Sequence, residues 1–108
     1  MDVFLSVVPT DDADAEFVRK AELPTLPETG QHITISVGES GLEHYVVHRF
    51  HSWSIDYPEL SEVDDDSRGT LNSATVEVKP VRGPALTDHH ENLCDRYDIS
   101  QSFERPFL

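Results

Sequence analysis

Six histidines, a single cysteine and a run of three aspartates are the side chains in this 108-residue chain with the means to do chemistry. His44, His48 and His51 crowd one stretch that reads as a strand. Residues four apart there share a face but stand about 13 Å apart along the axis, too far to grip one metal ion unless a bulge folds the strand. Solvated surface histidines are the simpler reading. His90, Cys94 and Asp98 recur at four-residue intervals on a predicted helix, which puts imidazole, thiol and carboxylate on one stripe. Yet Cys94 also falls where that helix needs an apolar residue, and nothing in the sequence signals the oxyanion site a Cys–His pair would need. Asp64, Asp65 and Asp66 have the oxygens for a hard cation but lack the spaced ligands and turn glycine of a calcium loop. No phosphate-binding glycine loop, Walker lysine or nucleophile elbow is present. Glu16, Glu22 and Glu43 are too dispersed to form a carboxylate pair. The sequence therefore nominates no catalytic residue, no metal site and no cofactor, and it reads as a non-enzyme.

The elements that would position these residues are mostly strands. Val3 to Val8 is an apolar run closed by Pro9. Glu16 to Glu22 alternates, with Phe17, Arg19 and Ala21 on one side, and the polar turn between the two runs predicts a hairpin. Leu23-Pro24-Thr25-Leu26-Pro27 forbids regular pairing while leaving Leu23 and Leu26 as inward anchors, and Gly30 supplies a turn. Gln31 to Val37 is a strand with Ile33, Ile35 and Val37 on one face, followed by the turn Gly38–Gly41. Glu43 to Tyr57 is the longest strand candidate. Phe50 is out of step with Tyr45 and Val47, and a bulge near Arg49 restores the phase for Trp53 and Ile55. Glu59 to Thr70 reads as an acidic loop, and Asn72 to Val81 as a fifth strand ended at Pro80. Asp88 and Glu91 match a capping box for a short helix near 89–97. The tail keeps Phe103, Phe107 and Leu108, which either dock on the chain itself or grip a partner.

This order predicts an all-β, five-stranded SH3-like or open barrel over residues 1–82, with an accessory helix and apolar tail over 83–108. The pattern Glu22-Leu23-Pro24-Thr25-Leu26-Pro27-x-x-Gly30, followed by strands carrying Tyr45 and Trp53, resembles small uncharacterised bacterial or phage SH3-like β-barrel proteins over residues 16–81. The resemblance implies the barrel and transfers no catalytic residue.

Charge bounds the function. With 21 acidic residues against 8 basic ones the chain carries a formal −13. Such a balance repels nucleic acid and anionic membranes and leaves a basic partner, adaptation to brine, or plain solubility. One cysteine excludes an internal disulfide, no run approaches the roughly 20 apolar residues of a membrane span, and the start lacks a signal-peptide pattern, so the expected place is the cytoplasm. The expected function is a non-catalytic interaction module for a protein partner, basic by charge complement. Trp53, Tyr57, Phe103, Phe107 and Leu108 are its candidate apolar anchors, and Asp64, Asp65 and Asp66 would steer. Tyr45, Trp53 and Tyr57 read foremost as core and rim residues. The alternative is an acidic inhibitor that mimics nucleic-acid charge, as in phage counter-defence, using Asp11, Asp12, Asp14, Asp64–Asp66, Asp88 and Glu91. A metal-dependent enzyme ranks third.

Overall fold

Alternation of apolar and polar residues decides where each strand hides its side chains. A computed structural model describes residues 1–11, 14–59 and 67–103. In β1 (Asp2–Val7) the residues Val3, Leu5 and Val7 are buried. β2 (Phe17–Glu22) half-buries Phe17, Arg19 and Ala21 and exposes Val18 and Lys20. β3 (His32–Ser36), β4 (Leu42–Asp56) and β5 (Thr70–Pro80) complete a curled five-stranded sheet in the order β2-β1-β5-β4-β3. β1 and β2 form one antiparallel hairpin and β3 and β4 another. β5 enters between them, antiparallel to β4 and parallel to β1. The five-stranded open barrel expected from the sequence is therefore present as a half-barrel, with one short helix after it.

The core lies on one face of the curl. Val3, Leu5, Val7, Tyr45, Val47, Val76 and Val78 meet Leu93 of the helix, and Leu23, Leu26, Ile33, Ile35 and Tyr97 pack around them. The proline-rich corner thus supplies its two leucines as anchors. A cross-link closes the curl: Arg19 on β2, an edge strand, reaches Glu43 on β4 through two hydrogen bonds, Nε–Oε1 at 3.1 Å and Nη2–Oε2 at 2.5 Å. The Tyr45 hydroxyl donates to the same Oε1 at 3.0 Å. Glu43 is 1% exposed, so its carboxylate is sustained by these partners rather than by water.

The helix α1 (Asp88–Arg96) begins one residue away from where the sequence suggested. Its cap is Thr87, not Asp88: the Thr87 hydroxyl accepts the His90 amide at 3.1 Å. The reason lies in β4. Leu42 donates to the Ala85 carbonyl at 2.7 Å and accepts from Thr87 at 3.0 Å, which holds the chain extended until Thr87. Gly41 makes this docking possible. It has φ 125°, and a Cβ there would lie 2.5 Å from the Ala85 carbonyl oxygen. At the other end Tyr97 caps the helix and Asp98 turns left-handed at φ 52°. Among the described residues no helix is long and apolar enough to cross a membrane.

Arg19→Met strands a buried carboxylate and should lower the urea-unfolding free energy by about 2 kcal/mol, below the roughly 3–5 kcal/mol for breaking a fully buried pair because Arg19 is partly solvated. Adding Glu43→Gln should restore most of that loss, since an amide accepts the Tyr45 hydroxyl without a charge to compensate. Equal losses in the single and double variants would show that the pair does not close the curl.

Candidate interaction surface

β4 is longer than the sheet that surrounds it. Its ladder with β3 spans Leu42 to Val46 and is extended by bonds from Val47 to Gly30 and Gln31. Beyond that point, among the described residues, β5 alone flanks it, from Val47↔Val78 to Asp56↔Thr70. Fifteen residues at about 3.3 Å each span roughly 50 Å, which matches the 52 Å longest dimension of the molecule. The β4–β5 ribbon thus has β1 beside it from Ser73 to Val78 and, among the described residues, stands as two strands alone only at its tip, where Ile55 and Asp56 face Leu71 and Thr70.

Three register shifts, between Val47 and Arg49, Phe50 and Ser52, and Ser54 and Ile55, sort this ribbon into two unlike faces. Residues directly opposite each other share a face. Phe50 stands opposite Val76, Trp53 opposite Ala74 and Ile55 opposite Leu71. On the other side Arg49 faces Glu77, Ser52 faces Thr75, Ser54 faces Ser73 and Asp56 faces Thr70. One face is apolar and the other polar. The apolar face continues the core face outward, but its far part is uncovered: Trp53 is 50% exposed, Tyr57 55% and Ile55 60%. The Phe50 and Trp53 ring centroids are 4.8 Å apart. Near the tip, Gly69 leaves room for Ile55 and Tyr57 to lie against its backbone, and the Tyr57 hydroxyl donates to the Ser67 carbonyl at 3.0 Å. Trp53 and Tyr57, read foremost as core and rim residues, lie outside the core and stand half exposed. The alternation that predicts burial holds, but the strand has outrun the elements that would bury it. Tyr45, in the covered half, is in the core.

The histidines form a network under the opposite end. His44 is buried, not solvated as its strand pattern suggested, because the segment after β5 folds over it. Its Nε2 donates to the Pro84 carbonyl at 3.0 Å, which leaves Nδ1 to accept the Thr34 hydroxyl at 3.1 Å. Thr34 Oγ1 then lies 3.4 Å from His32 Nδ1, so the remaining His32 nitrogen, Nε2, is bare, buried and unpartnered. His90 is 0% exposed and donates from Nε2 to the Val81 carbonyl at 2.9 Å, leaving a bare, buried Nδ1. Burial lowers the pKa of His90, and burial together with neighbouring His44 lowers that of His32. Phe103 stacks on the His32 ring with centroids 3.4 Å apart, held by a hydrogen bond from its amide to the Arg82 carbonyl.

The remaining sequence candidates are dispersed. His48 lies 3.7 Å from Asp11, which Lys79 also engages, and His51 Nδ1 lies 3.1 Å from the Ser52 hydroxyl. His90 and Cys94 are both buried, while Asp98 leaves their stripe at the helix end. Burial raises the pKa of the Cys94 thiol, which suits a small apolar side chain better than a nucleophile. Among the described residues no three His, Cys, Asp or Glu side chains are grouped to hold a metal ion. A cleft of about 350 Å³ is lined by Arg19, Glu43, Thr87, Asp88 and His89. Arg19 and Tyr45 already engage its buried carboxylate, with two hydrogen bonds on Oε1 and one on Oε2. Asp12, Asp64, Asp65, Asp66, Phe107 and Leu108 lie outside the described residues. Phe50, Ile55 and Leu71 complete the surface, and sequence reading missed them as site residues. The signal was present in the length of β4 against that of β3.

No family model, curated protein or solved structure matches this chain.

His32 and His90 titrate lower in the fold than their ordinary 6.5, so the unfolded chain binds protons that the folded chain refuses. Stability is then full above about pH 6.5 and lost as pH falls toward the folded values. The thermal midpoint should drop between pH 7 and pH 5. His90→Gln should flatten this slope, and an unchanged slope in that variant would contradict the assignment.

Proposed function

We propose that this chain is a non-catalytic protein-interaction module that docks a protein on the apolar face of the β4–β5 ribbon. The observation that carries this reading is the sorting of the ribbon. Phe50, Trp53, Ile55, Tyr57 and Leu71 are all more than a third exposed, while serine, threonine and charged residues fill the reverse face.

Aromatic side chains present ~150–250 Å² each, so half-exposed they and the two aliphatic residues offer an apolar patch of roughly 400 Å². A patch of that size on one face, rimmed by polar residues, marks a docking surface rather than ordinary surface scatter. Trp and Tyr are the residue types that most often dominate binding energy, because they bury large area with few rotatable bonds. The free edge of β4 is a poor template for another strand, since three register shifts interrupt its ladder. Docking by the face rather than the edge follows. The buried carboxylate of Glu43 and the buried imidazole of His44 are engaged by internal partners, which supports binding over catalysis at those groups.

Affinity capture with the whole chain tests the reading. Trp53→Ala and Tyr57→Ala, both at exposed positions, should each reduce captured protein at least tenfold while the thermal midpoint moves little. Full capture by both variants would overturn the assignment of the face. Loss of capture on removing residues 104–108, with the ribbon variants unaffected, would move the docking surface to the tail.

A further inference from the structure

We infer that the protein docked on this ribbon is a second copy of the same chain, related by a two-fold axis that lays the two apolar faces against each other. This inference rests on the reading above and names the occupant of that surface.

Three observations select a second copy. The first is charge. A site built for a basic partner should be rimmed by acids, and this chain has them in excess, 21 against 8 basic residues. Yet residues 49–59 and 67–75 hold two acids, Asp56 and Glu59, and two arginines, Arg49 and Arg68. Arg49 is already paired with Glu77 on the reverse face. With Glu77 included, the described ribbon holds three acids against two arginines, close to neutral beside the −13 of the whole chain, which suits contact with an identical surface and gives a basic partner little to hold.

The second observation is the order of side chains along the face. Phe50 and Trp53, ring against ring, lie toward the body of the sheet, and Ile55 with Leu71 lies toward the tip. A two-fold axis crossing between them sets the aromatic pair of each copy over the aliphatic pair of the other, so one contact is made twice. Aromatic rings against aliphatic side chains bury large apolar areas on both sides of such a contact.

The third is the half-barrel itself. The helix and the proline-rich corner cover the apolar face at one end, and the other end is open among the described residues. Two copies stacked face to face make a two-layer arrangement in which each supplies the cover that the other lacks. The patch of roughly 400 Å² is about half the ~800 Å² per partner of a stable interface. The serines, threonines and backbone at its margin must make up the rest, so the pair is a weak to moderate dimer whose formation depends on concentration.

The same charge predicts how the dimer responds to salt. Each copy carries −13 and the Asp64–Asp66 run belongs to the segment that joins the paired strands. Mutual repulsion opposes association until it is screened. Raising salt should tighten the dimer, whereas it weakens a complex held by opposite charges.

Sedimentation of the full chain across low to high micromolar concentration, at physiological and at molar sodium chloride, tests the inference. The expected result is a shift from the 12.2 kDa monomer toward twice that mass, at lower concentration in the higher salt. Ile55→Asp and, independently, Trp53→Ala should raise the dissociation constant at least tenfold. Ser54→Asp, on the reverse face, should leave it within about twofold. A monomer at every concentration and salt, or a dimer indifferent to both apolar-face variants, overturns the inference. The outcomes also separate it from the broader reading. A monomer whose ribbon variants still lose a captured protein keeps the docking face and removes the second copy. A monomer whose variants lose nothing removes both.

Discussion

β4 continues through Asp56, while its neighbour β3 pairs with it only as far as Val46. A strand in this sheet has one apolar face, and that face is stable only where something lies on it. Over Tyr45 and Val47 the cover is Leu93 and the leucines of the proline-rich corner. Over Trp53 and Ile55 the described chain offers none. The mismatch in length divides the molecule into a closed half, where the core lies, and an open half, which we propose as the docking face.

The closed half is held by polar devices as well as by packing. Arg19 and Glu43 tie the edge strand β2 to β4, and Tyr45 completes the satisfaction of the buried carboxylate. Two of the histidines serve the same end. His44 and His90 each donate to the backbone of the segment between β5 and the helix, at Pro84 and Val81. That segment meets β4 and residues 101–103 through single backbone bonds rather than a continuous ladder, and the imidazoles satisfy two of its other carbonyls. Phe103 then closes the layer by stacking on His32. His44 and His90 are thus spent on folding, and the proposed docking face carries the Tyr57 phenol with charges at its margin.

Much of this was legible in the residues. The alternations of Val3–Leu5–Val7 and Ala74–Val76–Val78, the anchoring leucines at 23 and 26, and the bulge beside Arg49 follow from two-residue periodicity and proline placement. Cys94 as a small apolar side chain followed from its position on the helix stripe. Three things were not legible. The cap at Thr87 depends on long-range bonds to Leu42, which no local pattern contains. The burial of His44 depends on the chain between Val81 and Leu86 crossing over it, with Gly83 giving the ring its room. The exposure of Trp53 and Tyr57 depends on which strand lies beside β4, because a pattern of alternation tells only that two faces differ. Periodicity assigns a side chain to a face, and only topology decides whether that face is covered.

The central claim is that the face carrying Trp53 is open in the isolated chain and covered when the protein acts. Trp53 is the single tryptophan, so quenching of its fluorescence by acrylamide measures that cover directly. In dilute solution the account predicts efficient quenching and red-shifted emission. As concentration and salt rise, quenching should fall and the emission should shift to the blue, in step with the increase in mass. Quenching that is weak at every concentration, or that stays strong while the mass doubles, would contradict the account.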